Sequence, residues 1–194
     1  MFLLFDVSTN GRPKNWKAPF TDTFSWPRMI HIAWLLYDKK GNLTEEGDYL
    51  IKPQGFEITQ DALSMHKLDP EIIQLEGKEV GEVLDHFKKT IDKAYYIFSF
   101  NLQYNESVLL AEFYRTNKEH KLALAERYCL MRESTYFCKI IGKDGRYKWP
   151  TLNQLHEKLF NIGFDGAGNA KADVTAVSRC FNKLLDLGQL DDLF

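Results

Sequence analysis

The first residues able to do chemistry close an apolar run at the start of the chain, Met1-Phe2-Leu3-Leu4-Phe5-Asp6-Val7-Ser8-Thr9-Asn10-Gly11. No charge precedes Asp6, so the run reads as a central strand covered on both faces. It ends in a carboxylate, two hydroxyls, an amide and a glycine. The end of a buried strand is where an α/β fold usually places its site. The same residues also read more plainly, as a strand closed by an Asn-Gly turn with Asp6 as a solvated end cap. Asp6-x-Ser8-x-x-Gly11 supplies one glycine where a phosphate-cradling turn needs several, which argues against a dinucleotide-binding unit.

The elements that must position Asp6 follow in order. Residues 12–27 form a polar segment with Pro13, Pro19 and Trp26, longer than a usual connection, and such loops are functional or mobile. Two strand-like runs, 28–38 and 43–52, flank Lys39-Lys40-Gly41-Asn42 and predict an antiparallel hairpin that Pro53 ends. Thr59 is suited to cap a helix over 60–67, and Asp69-Pro70 to cap and open the next. Over 79–93, Val80, Val83, Leu84, Phe87 and Ile91 recur at helical spacing, a stripe for the core.

A short buried strand over 94–99 and a helix over 101–116 follow. Tyr128-Cys129-Leu130-Met131 reads as another short strand, ahead of a helix through Tyr136 to Ile141 and a turn over 142–148. Pro150 opens a helix to Phe160, and a glycine-rich loop, 163–168, precedes a last helix over 170–187. Residues 188–194 read as a frayed tail. Antiparallel strands first, then strands alternating with helices, predict a single α/β layer domain over 1–187.

Composition narrows the partners. With 44% apolar and 14% aromatic residues the chain is globular, and 194 residues suffice for one domain with a real core. Lys plus Arg number 25 against 27 Asp plus Glu, a net charge of −2 that gives no bulk attraction to nucleic acid or anionic membrane, though a local basic face stays open. Cys129, Cys138 and Cys180 are an odd set without close pairing, so neither a disulfide framework nor a zinc cluster is expected. No apolar run approaches spanning length and no signal peptide opens the chain, so a cytoplasmic, membrane-free protein is expected.

Three stretches in order resemble the motifs of the DnaQ-like 3′–5′ exonucleases of the ribonuclease H-like superfamily. Members open with an apolar strand running into Asp-x-Glu-Thr-x-Gly, matched here by Asp6-Val7-Ser8-Thr9-Asn10-Gly11. Phe100-Asn101-Leu102-Gln103-Tyr104-Asn105 stands where they have His-Asn-x-x-Phe-Asp. Gly168-Asn169-Ala170-Lys171-Ala172-Asp173 keeps the alanine and aspartate of their His-x-Ala-x-x-Asp. The connecting segments Pro27–Ala33 and Leu63–Asp69 are also similar, so the resemblance covers nearly the whole chain. It implies a mixed five-stranded sheet flanked by helices, with the first three strands antiparallel and parallel additions after them.

Hydrolysing a phosphodiester at neutral pH needs an activated water and neutralised charge at phosphorus, which two Mg²⁺ or Mn²⁺ ions provide. The family holds them with four carboxylates and adds a histidine as general base. The resemblance carries only Asp6 and Asp173 over as metal-binding carboxylates. Ser8 stands for a glutamate, Asn105 for an aspartate and Gly168 for the general-base histidine. A positioned general base alone contributes on the order of 10²–10⁴ in rate. The expectation is therefore lost or strongly reduced nuclease activity, with Mg²⁺ or Mn²⁺ at most weakly held between Asp6 and Asp173. The alternative is an active metal-dependent exonuclease with unusual ligands.

Other residues bear on the same site. Asp165, His156 and Glu106 are weighed as replacements for the missing groups, and His66 and His31 read as packing residues instead. The resemblance implies that Thr9, Asn10 and Met65 lodge a terminal nucleotide, with Phe100, Asn101 and Tyr104 beside it. Phe100 and Tyr104 offer rings for base stacking or simply fill a cavity. A nucleic-acid 3′ end and a protein partner are the expected ligand classes.

Overall fold

The strand Phe2–Thr9 (β1) runs through the middle of a five-stranded sheet in the computed structural model, which describes residues 1–193. It pairs antiparallel with β2 (Met29–Tyr37), which pairs antiparallel with β3 (Leu43–Leu50) at the edge. On its other side β1 runs parallel to β4 (Tyr96–Ser99), and β4 parallel to β5 (Glu126–Cys129). The spatial order is β3-β2-β1-β4-β5, the mixed sheet expected from the sequence.

Strand periodicity divides the core in two. Leu3, Phe5 and Val7 of β1 and Ile32, Trp34 and Leu36 of β2 pack under α3 (Val80–Ile91) and α4 (Leu102–Arg115). Leu4, Ala33 and Leu35 pack on the opposite face, under α7 (Leu152–Phe160) and α8 (Ala170–Asp186). Asp6 and Ser8 share the parity of Leu4, so β1 points its polar end at the start of α8. Gly47 on β3 faces Trp34 in register, and the indole lies where a Cβ would stand, 2.2 Å away. Only glycine leaves that ring flat against the edge strand.

The helix starts obey local chemistry. Thr59 accepts from the Ala62 amide at the head of α1 (Gln60–His66), and Asp69 from Glu71 ahead of α2 (Pro70–Glu76), as the sequence predicted. Pro150 does not open α7. Thr151 caps it in a reciprocal box with Gln154, which places the proline outside the helix. The expected strand at 128–131 lies two residues earlier, and two single turns, α5 (Leu130–Glu133) and α6 (Thr135–Cys138), replace one helix to Ile141. Ser134 Oγ bonds the Leu130 carbonyl at 2.6 Å at the junction.

The C-terminal segment does not simply fray. Leu190 is 1% exposed in the α8-side core, and Leu193 packs partly against it. Phe194, the last residue of the expected tail, lies outside the described residues. No helix among the described residues is long and apolar enough to cross a membrane.

Candidate active site

Asp6, at the carboxyl-terminal half of β1, is only 7% exposed. Burial pushes its carboxyl well above the usual range, and the neighbouring Asp173 charge pushes it further. Asn105, one turn into α4, opposes that shift by donating from Nδ2 to Asp6 Oδ1 at 2.6 Å. The same amide nitrogen lies 2.6 Å from Ser99 Oγ and 3.2 Å from the Phe100 carbonyl. Three acceptors around one nitrogen fix the amide: it presents donors, not its carbonyl oxygen, to the carboxylate.

Asp173 sits in the first turn of α8 and accepts from the Gly168 amide with both oxygens, at 3.1 and 3.0 Å. Burial outweighs those bonds and raises its carboxyl to about 6. The two aspartates thus share a low-dielectric corner without a third carboxylate. Among the described residues no three His, Cys, Asp or Glu side chains come together in a metal-holding group.

Ser8 works as a structural clasp. Its Oγ accepts from the Ala170 amide at 3.1 Å and donates to the Gly168 carbonyl at 3.2 Å, so β1 holds the α8 N-terminus directly. Gly168 lies at φ +93, and a Cβ there would meet the Met65 carbonyl oxygen at 2.6 Å. A histidine at this position therefore needs a different loop path. His66 reaches the same loop: Nδ1 contacts the Gly168 carbonyl, while Nε2 lies 3.4 Å from the Thr9 amide. The expectation that His66 packs within its own helix is corrected, because it bridges β1 and the loop before α8.

A cavity of about 960 Å³ opens beside this corner. Thr9, Met65, Asn101 and Tyr104 line it, joined by Arg12 and Trp16 from the 12–27 loop. Thr9 Oγ1 donates to the Gly11 carbonyl at 2.8 Å, which leaves it to accept from Tyr104 Oη at 2.6 Å. Burial holds the Tyr104 phenol up to about 12, so it stays a donor. Trp16 tilts over Tyr104 with ring centroids 5.5 Å apart. Asn101 reaches the rim in a left-handed conformation, φ 61, which asparagine tolerates better than most residues.

Two expected ligand residues lie elsewhere. Asn10 accepts from the Arg28 amide at 2.7 Å and donates to the Glu57 carbonyl at 2.9 Å, which ties loops together behind the cavity wall. Phe100 packs partly buried against the α8-side core. His156 is buried against Phe160 and Phe164 with Nδ1 on the Ile162 carbonyl, and Glu106 pairs with Arg127 on the surface. Neither stands in the site. His31 pairs with Asp48 at 2.7 Å on the sheet, the packing place expected of it.

Solved structures share this fold. Escherichia coli exonuclease I in complex with a dT13 oligonucleotide superposes over 100% of this chain with a TM-score of 0.75 at 20% identity. The zinc-bound form of its single-stranded-DNA complex matches with a TM-score of 0.74 at 20% identity, and an exonuclease I–SSB-Ct complex with 0.75 at 18%. The fold is that of exonuclease I.

The likeness takes in 42% of the exonuclease I chain in the first two structures and 43% in the third, so this chain spans about two fifths of its length. No protein-family model matches the chain, and no curated protein is significantly similar to it in sequence. Two residues that line the cavity, Trp16 and His66, were not assigned to it by sequence reasoning. Trp16 offered a signal, a tryptophan inside a long polar loop. His66 offered none, since its partners are backbone groups from segments far away in the chain.

Proposed function

We propose that the domain holds the 3′ end of a nucleic-acid strand in the cavity between Trp16, Met65 and Tyr104 and does not cut it. The observation that carries this reading is the Asn105 amide nitrogen on Asp6, 2.6 Å away. A donor there takes the place a cation would need, and Ser8 is committed to the α8 N-terminus. The residues present do not fit a two-metal centre, which asks for several carboxylate oxygens facing one point. The cavity suits a nucleotide: Trp16 and Tyr104 supply rings, Arg12 a cation, and Thr9 and Asn101 polar groups. Cys129, Cys138 and Cys180 are buried free thiols, which supports a cytoplasmic setting.

A second reading is a nuclease that keeps one divalent ion between Asp6 and Asp173. The repulsion between buried Asp6 and half-buried Asp173 favours it, because a cation relieves that repulsion. Incubation of labelled single-stranded DNA and RNA with Mg²⁺ or Mn²⁺ separates the two. Binding without shortening is expected from the native chain, and cleavage or metal affinity gained by Ser8→Glu with Asn105→Asp supports the degraded site. Nucleotide release by the native chain that Asp6→Ala abolishes overturns it.

A further inference from the structure

Away from the cavity, residues 140–148 form a small ribbon closed by Gly145, with Lys148 N on the Ile140 carbonyl at 2.8 Å and Gly142 N on the Arg146 carbonyl at 2.7 Å. Tyr136, Tyr147 and Trp149 cluster around it, exposed at 76%, 44% and 56%. The Tyr136 and Tyr147 rings meet edge-on with centroids 6.0 Å apart, and the Arg132 guanidinium lies 5.3 Å from the Trp149 ring centre. Lys139, Lys143, Arg146 and Lys148 belong to the same stretch, 132–149, which carries two carboxylates, Glu133 and Asp144. None of the four cations, nor Arg132, takes part in a salt bridge among the described residues.

A chain of net charge −2 thus gathers unpaired cations and exposed rings on one ribbon. Exposed aromatic surface of this kind is uncommon on a monomer unless something covers it. Unpaired cations attract phosphates, and flat rings accept bases of any sequence. Arg132 Nη2 also donates to Gln103 Oε1 at 3.4 Å, on the first turn of α4, the helix that carries Tyr104.

We propose that residues 132–149 form a second nucleic-acid surface, which takes the single-stranded segment leading away from the 3′ end. The proposal rests on the 3′-end reading for its direction, and on the ribbon alone for its chemistry. Base stacking distinguishes it from a surface for an acidic protein segment, which needs the cations and not the row of rings.

The test measures binding of fluorescein-labelled dT4, dT20 and an abasic 20-mer by anisotropy. Three proteins are compared: the native chain, Tyr147→Ala with Trp149→Ala, and Lys143→Ala with Arg146→Ala. The native chain is expected to bind dT20 at least about ten-fold more tightly than dT4 and than the abasic strand. Both variants are expected to lose about ten-fold or more on dT20 and little on dT4. The lysine–arginine variant also lowers the salt slope by about 0.7 for each phosphate it no longer neutralises. Variants that bind dT20 like the native chain overturn the proposal, as does an abasic strand bound equally well. Loss of dT4 binding in Trp16→Ala, with the ribbon variants unchanged, supports the 3′-end reading and overturns the ribbon. The reverse pattern upholds the ribbon and removes the 3′-end reading.

Discussion

Asn105 Nδ2 stands 2.6 Å from Asp6 Oδ1, an amide donor aimed at a buried carboxyl. One uncharged side chain thus sets a donor, not a second negative charge, against the Asp6 carboxyl. Asn105→Asp replaces the donor with a third acidic group beside two already pushed upward. Without metal the variant is expected to lose about 1–3 kcal/mol of stability at pH 7. Added Mn²⁺ then raises its melting temperature in a saturable way, because an ion bound only by the folded state stabilises it. Thermal scans of native and variant chains with and without Mn²⁺ check both halves. An unchanged melting temperature without metal removes the argument.

Asp173 sets a pH dependence of known sign. Its carboxyl is raised to about 6 in the folded chain, against about 3.9 when unfolded, so the folded state binds more protons between those values. The contribution is fully present below about pH 4 and is lost as pH rises through about 6. Asp173→Asn removes that loss, so near pH 7 the variant is expected to be more stable than the native chain by about 1 kcal/mol. Near pH 4 the difference vanishes. Urea midpoints at four pH values between 4 and 7 test the crossing.

The parts of this molecule written in local sequence were legible. The apolar run into Asp6 announced β1, the turn at 39–42 announced the hairpin, and Thr59 and Asp69 announced two helix starts. Thr151 with Gln154 carried an equally local signal, a capping box, which outweighed the proline before it. Groups whose meaning is tertiary were not legible. Asn105 reads as a stand-in for an aspartate until Ser99, Phe100 and Asp6 surround its nitrogen. Gly168 reads as a missing histidine until the Met65 carbonyl is found where its Cβ would go. Leu190 reads as tail until the α8-side core closes over it.

His66 joins two segments through a neutral ring. Nδ1–H donates to the Gly168 carbonyl and Nε2 accepts from the Thr9 amide, which uses both nitrogens of one tautomer. Burial lowers its pKa below the ordinary 6.5. Its contribution to stability is full above about pH 6.5 and falls as the pH drops toward the lowered value, the opposite slope to that of Asp173. His66→Ala leaves the Gly168 carbonyl and Thr9 amide without that partner and is expected to cost about 1–3 kcal/mol at pH 7. Nitrogen-15 shifts of the ring identify the tautomer, and a charged ring at pH 7 overturns the assignment.

Glu112 fastens the long loop to the fold. It is fully buried on α4, and its Oε1 takes Arg28 Nε at 2.9 Å, the Met29 amide at 3.0 Å and Arg115 Nη1 at 3.1 Å. Arg115 in turn donates to the Thr23 and Trp26 carbonyls at 2.6 and 2.7 Å, so one carboxylate anchors the far end of the 12–27 loop. Removing one partner of a buried pair leaves the others uncompensated, so Glu112→Ala is expected to lose about 3–5 kcal/mol. The loop that carries Trp16 over Tyr104 is released at the same time, which frees the backbone at the exposed Lys14 and Lys17 for cleavage by trypsin. Urea unfolding and limited proteolysis read the two effects separately. Lower stability with native-like resistance in the loop would mean that Trp26, packed against Tyr104 with its indole N–H on the Ala18 and Pro19 carbonyls, holds the loop without the carboxylate.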